Sequence, residues 1–417
     1  MTENRQPRVF YGYVVVAAAF LVMAVMWGTQ YTFGVFFKPL LAEFGWTRAM
    51  TSGAFSLSLV LTGLLSIVTG RLTDRFGPRL VVTVCGCFLG LGFLLVSQVS
   101  AIWQLYLFYG VLVGVGMSGS FVPLASTVAR WFVKRRGTVT GIAVSGLGVG
   151  TMIMPPIANW LISSYGWRTS YIVVGVAALV LVVLAAQVLK YDPKQVGQLP
   201  YGESELEVVA SSQDTGFSLK EALRAWQFWV IGIAWLCFGL SLGAVLVHIV
   251  LHAIGLGISA ASAALILAVI GGLSTVGRVV MGTASDRIGN KLALVICFAL
   301  LPIMLFWLSA ARESWMLYLF AVIFGFGYGG IAALASPIVA EQFGLSSLGV
   351  LLGCIMICVE GGSAIGPVVA GHIFDVTSDY NTAFLLFAVI SVIGLMLILL
   401  LRPTRKEGRT DESGRSS

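Results

Sequence analysis

Gly70-Arg71-Leu72-Thr73-Asp74-Arg75-Phe76-Gly77-Pro78-Arg79 and Gly282-Thr283-Ala284-Ser285-Asp286-Arg287-Ile288-Gly289-Asn290-Lys291 lie 212 residues apart, each between two apolar runs. Gly, Asp, Arg, Gly and a terminal cation recur in register. A repeat of this reach implies two structurally equivalent halves, and two halves of a membrane protein imply a substrate path between them.

The flanking sequence supports that reading. The 417 residues are 58% apolar and only 10% charged, with a mean hydropathy of +0.96. A soluble domain carries about 25% charged residues, so this pool cannot build a water-facing surface. Apolar runs near 10–37, 49–69, 80–98, 102–129, 136–163, 168–190, 224–253, 260–284, 291–310, 314–340, 348–374 and 380–401 are each long enough to cross a hydrocarbon layer of about 30 Å. Lipid cannot satisfy open backbone, so all twelve are expected to be helical. The expected layout is a six-helix bundle over 1–190, a polar cytoplasmic linker over 191–223, a second bundle over 224–402 and a disordered cytoplasmic tail over 403–417.

The net charge of +7 does not call for a nucleic-acid partner. With both termini in the cytoplasm, 20 of the 25 Lys and Arg fall on that side, and Lys38, Arg48, Arg168 and Arg312 face outward. That positive-inside bias sets the expected orientation of a multi-pass protein of the cell (inner) membrane. The six cysteines lie within the apolar runs and have no metal-ligand spacing with histidine, so packing is their reading. No metal and no cofactor is expected.

The 212-residue offset extends past the motif. Gly45 pairs with Gly257, Gly137 with Gly349, Gly141 with Gly353 and Pro155 with Pro367; spans 4 and 10 match at 211 through their glycines. Structural residues should recur in both copies, whereas one substrate needs unpaired chemistry. Arg278 aligns with Ser66 and Glu360 with Gly148, leaving two ionisable groups well inside spans of the second half with no counterpart in the first.

Several enzyme-like patterns fail on context. Gly114-x-Gly116-x-x-Gly119 and Gly325-x-Gly327-x-x-Gly330 mimic a dinucleotide fingerprint but lie inside apolar helices, where small residues allow close packing. Gly239-Leu240-Ser241-Leu242-Gly243 has no strand before it. No nucleophile–base pair accompanies them, so the chain is not expected to be an enzyme.

The charged residues divide by depth. Asp74 with Arg75, and Asp286 with Arg287, sit at cytoplasmic span ends, where a carboxylate meets arginines and helix N-termini; gating is expected there. Arg278 lies deeper, where a charge costs at least about 2.5–3.5 kcal/mol without a partner or a wet cavity. It is either a snorkelling or structural arginine, or a carboxylate receptor whose fork binds both oxygens. Glu360 is either a neutral acid bonded to a carbonyl or a proton carrier that pairs with Arg278 in the empty state. Tyr31 and Tyr328 offer hydroxyls to a central cavity, or pack. His248 is a titratable group near neutral pH, or a satisfied core histidine.

These features resemble the major facilitator superfamily over nearly the whole chain. A narrower resemblance is to its monocarboxylate porters and oxalate:formate antiporters. It is carried by Trp131-Phe132-Val133-Lys134-Arg135-Arg136-Gly137-Thr138-Val139-Thr140-Gly141-Ile142-Ala143-Val144-Ser145-Gly146, and more loosely by Phe10-Tyr11-Gly12-Tyr13-Val14-Val15 and Phe36-Phe37-Lys38. The resemblance puts Arg278 at the family's substrate-binding arginine. Two positions depart from it: Tyr31 stands where animal members have a lysine, and Ser274 where they have an aspartate, so any proton coupling must use other groups. Glu360 stands where the oxalate type has a second cation, which favours a monocarboxylate over a dianion. The expectation is a monomeric transporter of a small monocarboxylate such as lactate or pyruvate, with Arg278, Tyr31, Tyr328 and Ser274 binding it and Glu360 and His248 handling a proton. The alternatives are a carboxylate exchanger without a proton and a non-transporting membrane sensor.

Overall fold

The computed structural model describes residues 10–202 and 217–402. Within them the chain forms apolar helices long enough to cross a membrane. In chain order they are α1 (Gly12–Phe44), α2 (Arg48–Phe76), α3 (Pro78–Val96), α4 (Ile102–Trp131), α5 and α6, α7 (Trp226–Gly255), α8 (Ala260–Ile288), α9 (Asn290–Ala310), α10 (Ser314–Phe343), α11 (Leu348–Thr377) and α12 (Asn381–Leu400). The run Arg136–Gln187 is helical throughout except at Gly166 (φ 77°, ψ 162°), which turns it into α5 (136–165) and α6 (167–187). The protein is therefore an all-α membrane protein of twelve spans. α1 extends further than its apolar run suggests, carrying Lys38, Pro39 and Glu43 within its last turns.

The repeat is visible in the backbone. Gly45 and Gly257 both take φ values open to glycine (64° and 83°) ahead of α2 and α8, and Thr47 and Ser259 then cap those helices by accepting from the amides of Met50 and Ser262. The second glycine of each motif, Gly77 and Gly289, has φ of 82° and 88°. A side chain there would be strained, so the motif spacing is fixed by a left-handed turn between two helices.

The halves meet along two crossings, α2 with α11 and α5 with α8. A Cβ added at Gly70 would lie 2.2 Å from the Gly349 carbonyl oxygen, and one at Gly282 would lie 2.4 Å from that of Gly137. Moving away from the motifs, Ser66 donates to the Gly353 carbonyl (3.0 Å), and Gly141 lies against the carbonyl of Arg278. The last close approaches are Gly63 to Glu360 and Gly148 to Thr275. Beyond that level Gly271, Gly272 and Gly361 have nothing within 4 Å of an added Cβ. The molecule is closed at the face carrying the two motifs and opens toward the other face.

The described parts of the linker are folded against the motif face. Tyr201 exchanges backbone hydrogen bonds with Trp131, Val133 and Lys134, and its ring joins those of Phe10, Tyr13 and Phe132. The two segments that carry the loose and the strong family-like signatures thus pack on each other. Phe217 donates to the Phe343 carbonyl (2.8 Å), and Leu219–Arg224 forms a short helix capped by Ser218 and Glu221. The expected tail, 403–417, lies outside the described residues.

Candidate functional site

At the level where the halves part, a cavity of about 180 Å³ lies between them. Arg278, Glu360, Tyr31 and Tyr328 all line it, and the rest of the wall is largely aromatic and aliphatic, including Trp27, Trp235 and Phe238. Arg278 is fully buried. Its Nη1 donates to Ser274 Oγ (2.7 Å) and its Nη2 to Tyr328 Oη (3.0 Å), while its guanidinium carbon lies 5.1 Å from the Tyr328 ring centroid. Two of five N–H donors are thus used for orientation. Nε has no partner among the described residues.

Ser274 does not line the cavity. Its hydroxyl donates to the Gly271 carbonyl (2.7 Å) while accepting from Arg278, so both its roles are taken within α8 and it serves to aim the guanidinium. Tyr31 lines the cavity from α1, its ring stacked on Trp27.

Arg278 and Glu360 do not pair. Among the described residues the ion pairs are Arg130–Asp74 and Arg168–Glu43. The repeat explains why. Arg278 of α8 reaches toward Gly148 of α5, where an added Cβ would sit 2.9 Å from its Nη1. Glu360, the register partner of Gly148, leaves α11 over Gly63 of α2. The two groups sit in the two equivalent crossings, on different walls of one cavity.

His248 is held elsewhere. Its ring nitrogens lie 3.1 Å from Tyr380 Oη and 2.9 Å from the Pro367 carbonyl. A carbonyl can only accept, so Nε2 donates to Pro367, while Nδ1 shares a hydrogen bond with the tyrosine hydroxyl; both ring nitrogens are engaged. It does not line the cavity. The cysteines are packed within helices, except that Cys87 is exposed on α3.

The motif aspartates reach across to the opposite half. Asp74 accepts from the amides of Gly349 and Val350 (3.2 and 3.1 Å), in the first turn of α11. Asp286 accepts from the amides of Gly137 and Thr138 (2.8 Å each) and from the Thr138 hydroxyl (2.6 Å), in the first turn of α5. A carboxylate on unpaired first-turn amides is favoured by both hydrogen bonding and the helix dipole. Arg75 and Arg287 take no part: Arg75 lies over the Phe76 ring, and Arg287 is exposed. The cation at the first latch is instead Arg130 from α4, which bonds Asp74 (3.1 Å) and the Leu345 carbonyl across the seam and stacks on Tyr191. Burial pushes the Tyr191 hydroxyl well above the ordinary phenol range, and the facing Asp74 adds to this against the pull of Arg130. It therefore remains a donor to Asp74.

α4 holds a feature that the apolar run did not disclose. Its helix passes through a wider π-type stretch, Tyr106–Val113, then breaks at Ser118–Phe121 before resuming as Val122–Trp131. Pro123, in the first turn of the resumed helix, has no N–H for the Gly119 carbonyl; proline alone does not break a span here, since α10 runs helical through Pro337. The equivalent position in α10 is Leu334, and α10 runs unbroken. The glycines flanking the break pack as expected, Gly114 against Ser58, Gly116 against Leu89 and Gly119 against Cys85.

A sequence model of the Major Facilitator Superfamily matches residues 18–311 and 256–417. The rat protein named monocarboxylate transporter 13 is 27% identical over 398 residues, covering 94% of this chain and 89% of the relative. Human monocarboxylate transporter 11 is 28% identical, covering 90% and 80%. Among solved structures, a proton:xylose symporter, XylE, superposes with a TM-score of 0.76 at 14% identity over 94% of this chain and 96% of that one. The human organic anion transporter MFSD10 gives 0.71 at 15% identity, over 94% and 100%.

Proposed function

The chain belongs to the major facilitator superfamily and is a transporter related to the monocarboxylate transporters, not an enzyme, and on that premise we propose that it carries a small monocarboxylate together with a proton. The observation that carries the proposal is Arg278, fully buried, aimed by Ser274 and Tyr328, and lining a small cavity with apolar walls. A guanidinium with free donors in a dry wall binds a carboxylate as a fork. The volume is below the 300–1,000 Å³ of drug-sized ligand sites, which suits a small acid. Glu360 on the facing wall offers a second carboxylate no compensating cation whether it is ionised or protonated, which favours a monoacid over a dianion. Tyr31 and Tyr328 supply further hydroxyls.

Glu360 lines the same cavity and has no ion-pair partner among the described residues, which supports it as the proton carrier. Substrate binding would neutralise Arg278, and protonation would neutralise Glu360, so the loaded cavity carries no net charge when the halves rock over it. Tied up in its own hydrogen bonds away from the cavity, His248 is the weaker partner in this role. In the cell membrane, with the motif face cytoplasmic, the monomer would take up substrate from outside in the conformation described.

Labelled lactate uptake into proteoliposomes, with and without an inward proton gradient, tests this. Arg278→Ala is expected to abolish uptake, by more than about tenfold, because the anion loses the cation of the cavity wall; uptake unchanged in that variant sinks the reading. Gradient-driven accumulation is expected to fail in Glu360→Gln. Uptake that ignores the gradient but follows an internal anion would make the protein an exchanger.

A further inference from the structure

Beneath the main cavity, toward the motif face, lies a second one of about 10 Å³, the room that one water occupies. Trp27 and Glu360 line both cavities, and Thr62, Ser66 and Ser120 line the smaller. The break in α4 opens onto it: Val122, the first residue of the resumed helix, is in its wall. The amides of Phe121, Val122 and Leu124 have no acceptor among the described residues. Independently, Trp27 is nine-tenths buried, and its indole N–H has no partner among the described residues either. Unsatisfied buried donors of this kind each need an explanation, and non-helical backbone at membrane depth is tolerated where it borders protein or water.

We infer that the smaller cavity binds a single water that joins the Trp27 indole and the broken α4 to the Glu360 carboxylate. This rests on Glu360 being the proton carrier. Resumed α4 is ten residues long, and its first residue, Val122, with Phe121 before it, is in the cavity wall, so the positive end of its dipole lies at the cavity. The water accepts from the indole and from one amide of the α4 break and donates to Glu360, leaving its second hydrogen for Ser120 Oγ. The broken helix end is present in α4 and not in its counterpart, because α10 is unbroken. The site gives Glu360 in its ionised form a set of partners on the side away from the substrate, which substitutes for the ion pair that Arg278 does not make. The titratable or charged groups facing Glu360 from the surrounding helices are Arg278 of α8, Tyr328 of α10 and Tyr31 of α1; α2 and α4 contribute hydroxyls alone at this level.

Removing a donor from the carboxylate favours its protonated form, so uptake that needs a proton on Glu360 persists to higher pH. Trp27→Phe keeps an aromatic ring but deletes the pyrrole N–H; Ser120→Val fills the water's space. Both are expected to move the midpoint of the uptake–pH profile upward by about one unit, a tenfold change in proton affinity. A high-resolution experimental structure of the wild-type protein is expected to show density between Trp27 and Glu360. Midpoints unmoved in both folded variants overturn the inference, as does an empty cavity. Wild-type uptake indifferent to pH overturns the symport reading instead, and the density then decides the site alone.

Discussion

The two latches on the motif face occupy equivalent positions yet are built differently. Each places an aspartate on the second and third amides of the opposite half's helix, Asp74 on α11 and Asp286 on α5. Asp74 is largely buried and is neutralised by Arg130 from its own half, with Tyr191 from the linker as a further donor; side-chain exposures are 13% and 12% for Asp74 and Arg130. Asp286 is exposed, and has the Thr138 hydroxyl instead of a cation. The register positions of Arg130 and Thr138 are Glu341 and Val350, so neither device is present at the other latch. One latch is a buried charge network and the other a solvated cap. The first should be the stronger, since hydrogen bonds to charges gain most where water is excluded.

The comparison breaks most completely where both latches share one element. Gly70→Val and Gly282→Val each put side-chain atoms into a facing carbonyl, and both are expected to force the motif face open and cut transport at least about tenfold, by steric exclusion from a seam with no slack. Cysteine labelling at the motif face measures this; a labelling rate unchanged in either variant removes the claim that the seam is closed by backbone contact. Asp74→Asn is expected to come next, costing the closed state about 1.5–3 kcal/mol, as for a lost charged hydrogen bond that leaves Arg130 unpaired. Asp286→Asn should cost about 0.3–1 kcal/mol, the range of an exposed helix-end charge. Labelling rates for the two variants give the ranking, and equal effects would show that burial does not distinguish the latches. The smallest change is Thr138→Val, which copies the side chain that the first latch has at Val350. Because that hydroxyl bond is exposed, it is expected to cost at most about 0.5 kcal/mol, the low end for a hydrogen bond, seen as a drop in melting temperature of at most a few degrees.

Much of the architecture was legible because the repeat leaves its mark on residues with no freedom to vary. Gly45 and Gly257, and Gly77 and Gly289, stand where a left-handed turn admits little else, and Gly137, Gly141, Gly349 and Gly353 stand where backbones touch. The unmatched Arg278 and Glu360 could be singled out by the same register, and both line the cavity. Their partners could not be read, because the direction of a side chain across an interface depends on which helices cross. Thus Glu360 lies over Gly63 rather than beside Arg278, and Ser274 is spent on aiming the arginine. Arg130 was hidden among the basic residues of the loop after span 4, where it looked like one more positive-inside charge. The break in α4 was hidden because it falls within an apolar run without changing its hydropathy, and Pro123 does not mark it, since α10 stays helical through Pro337.

The glycine crossings have a thermal consequence. Where helices meet carbonyl to α-carbon, parting them uncovers few methyl groups, and the heat-capacity change of a conformational step follows the apolar surface it uncovers. A seam fastened by carboxylates on amides, with backbone against backbone at its closest points, therefore opens with a small heat-capacity change. The balance between its two states then varies little in curvature with temperature, and it is set chiefly by charge.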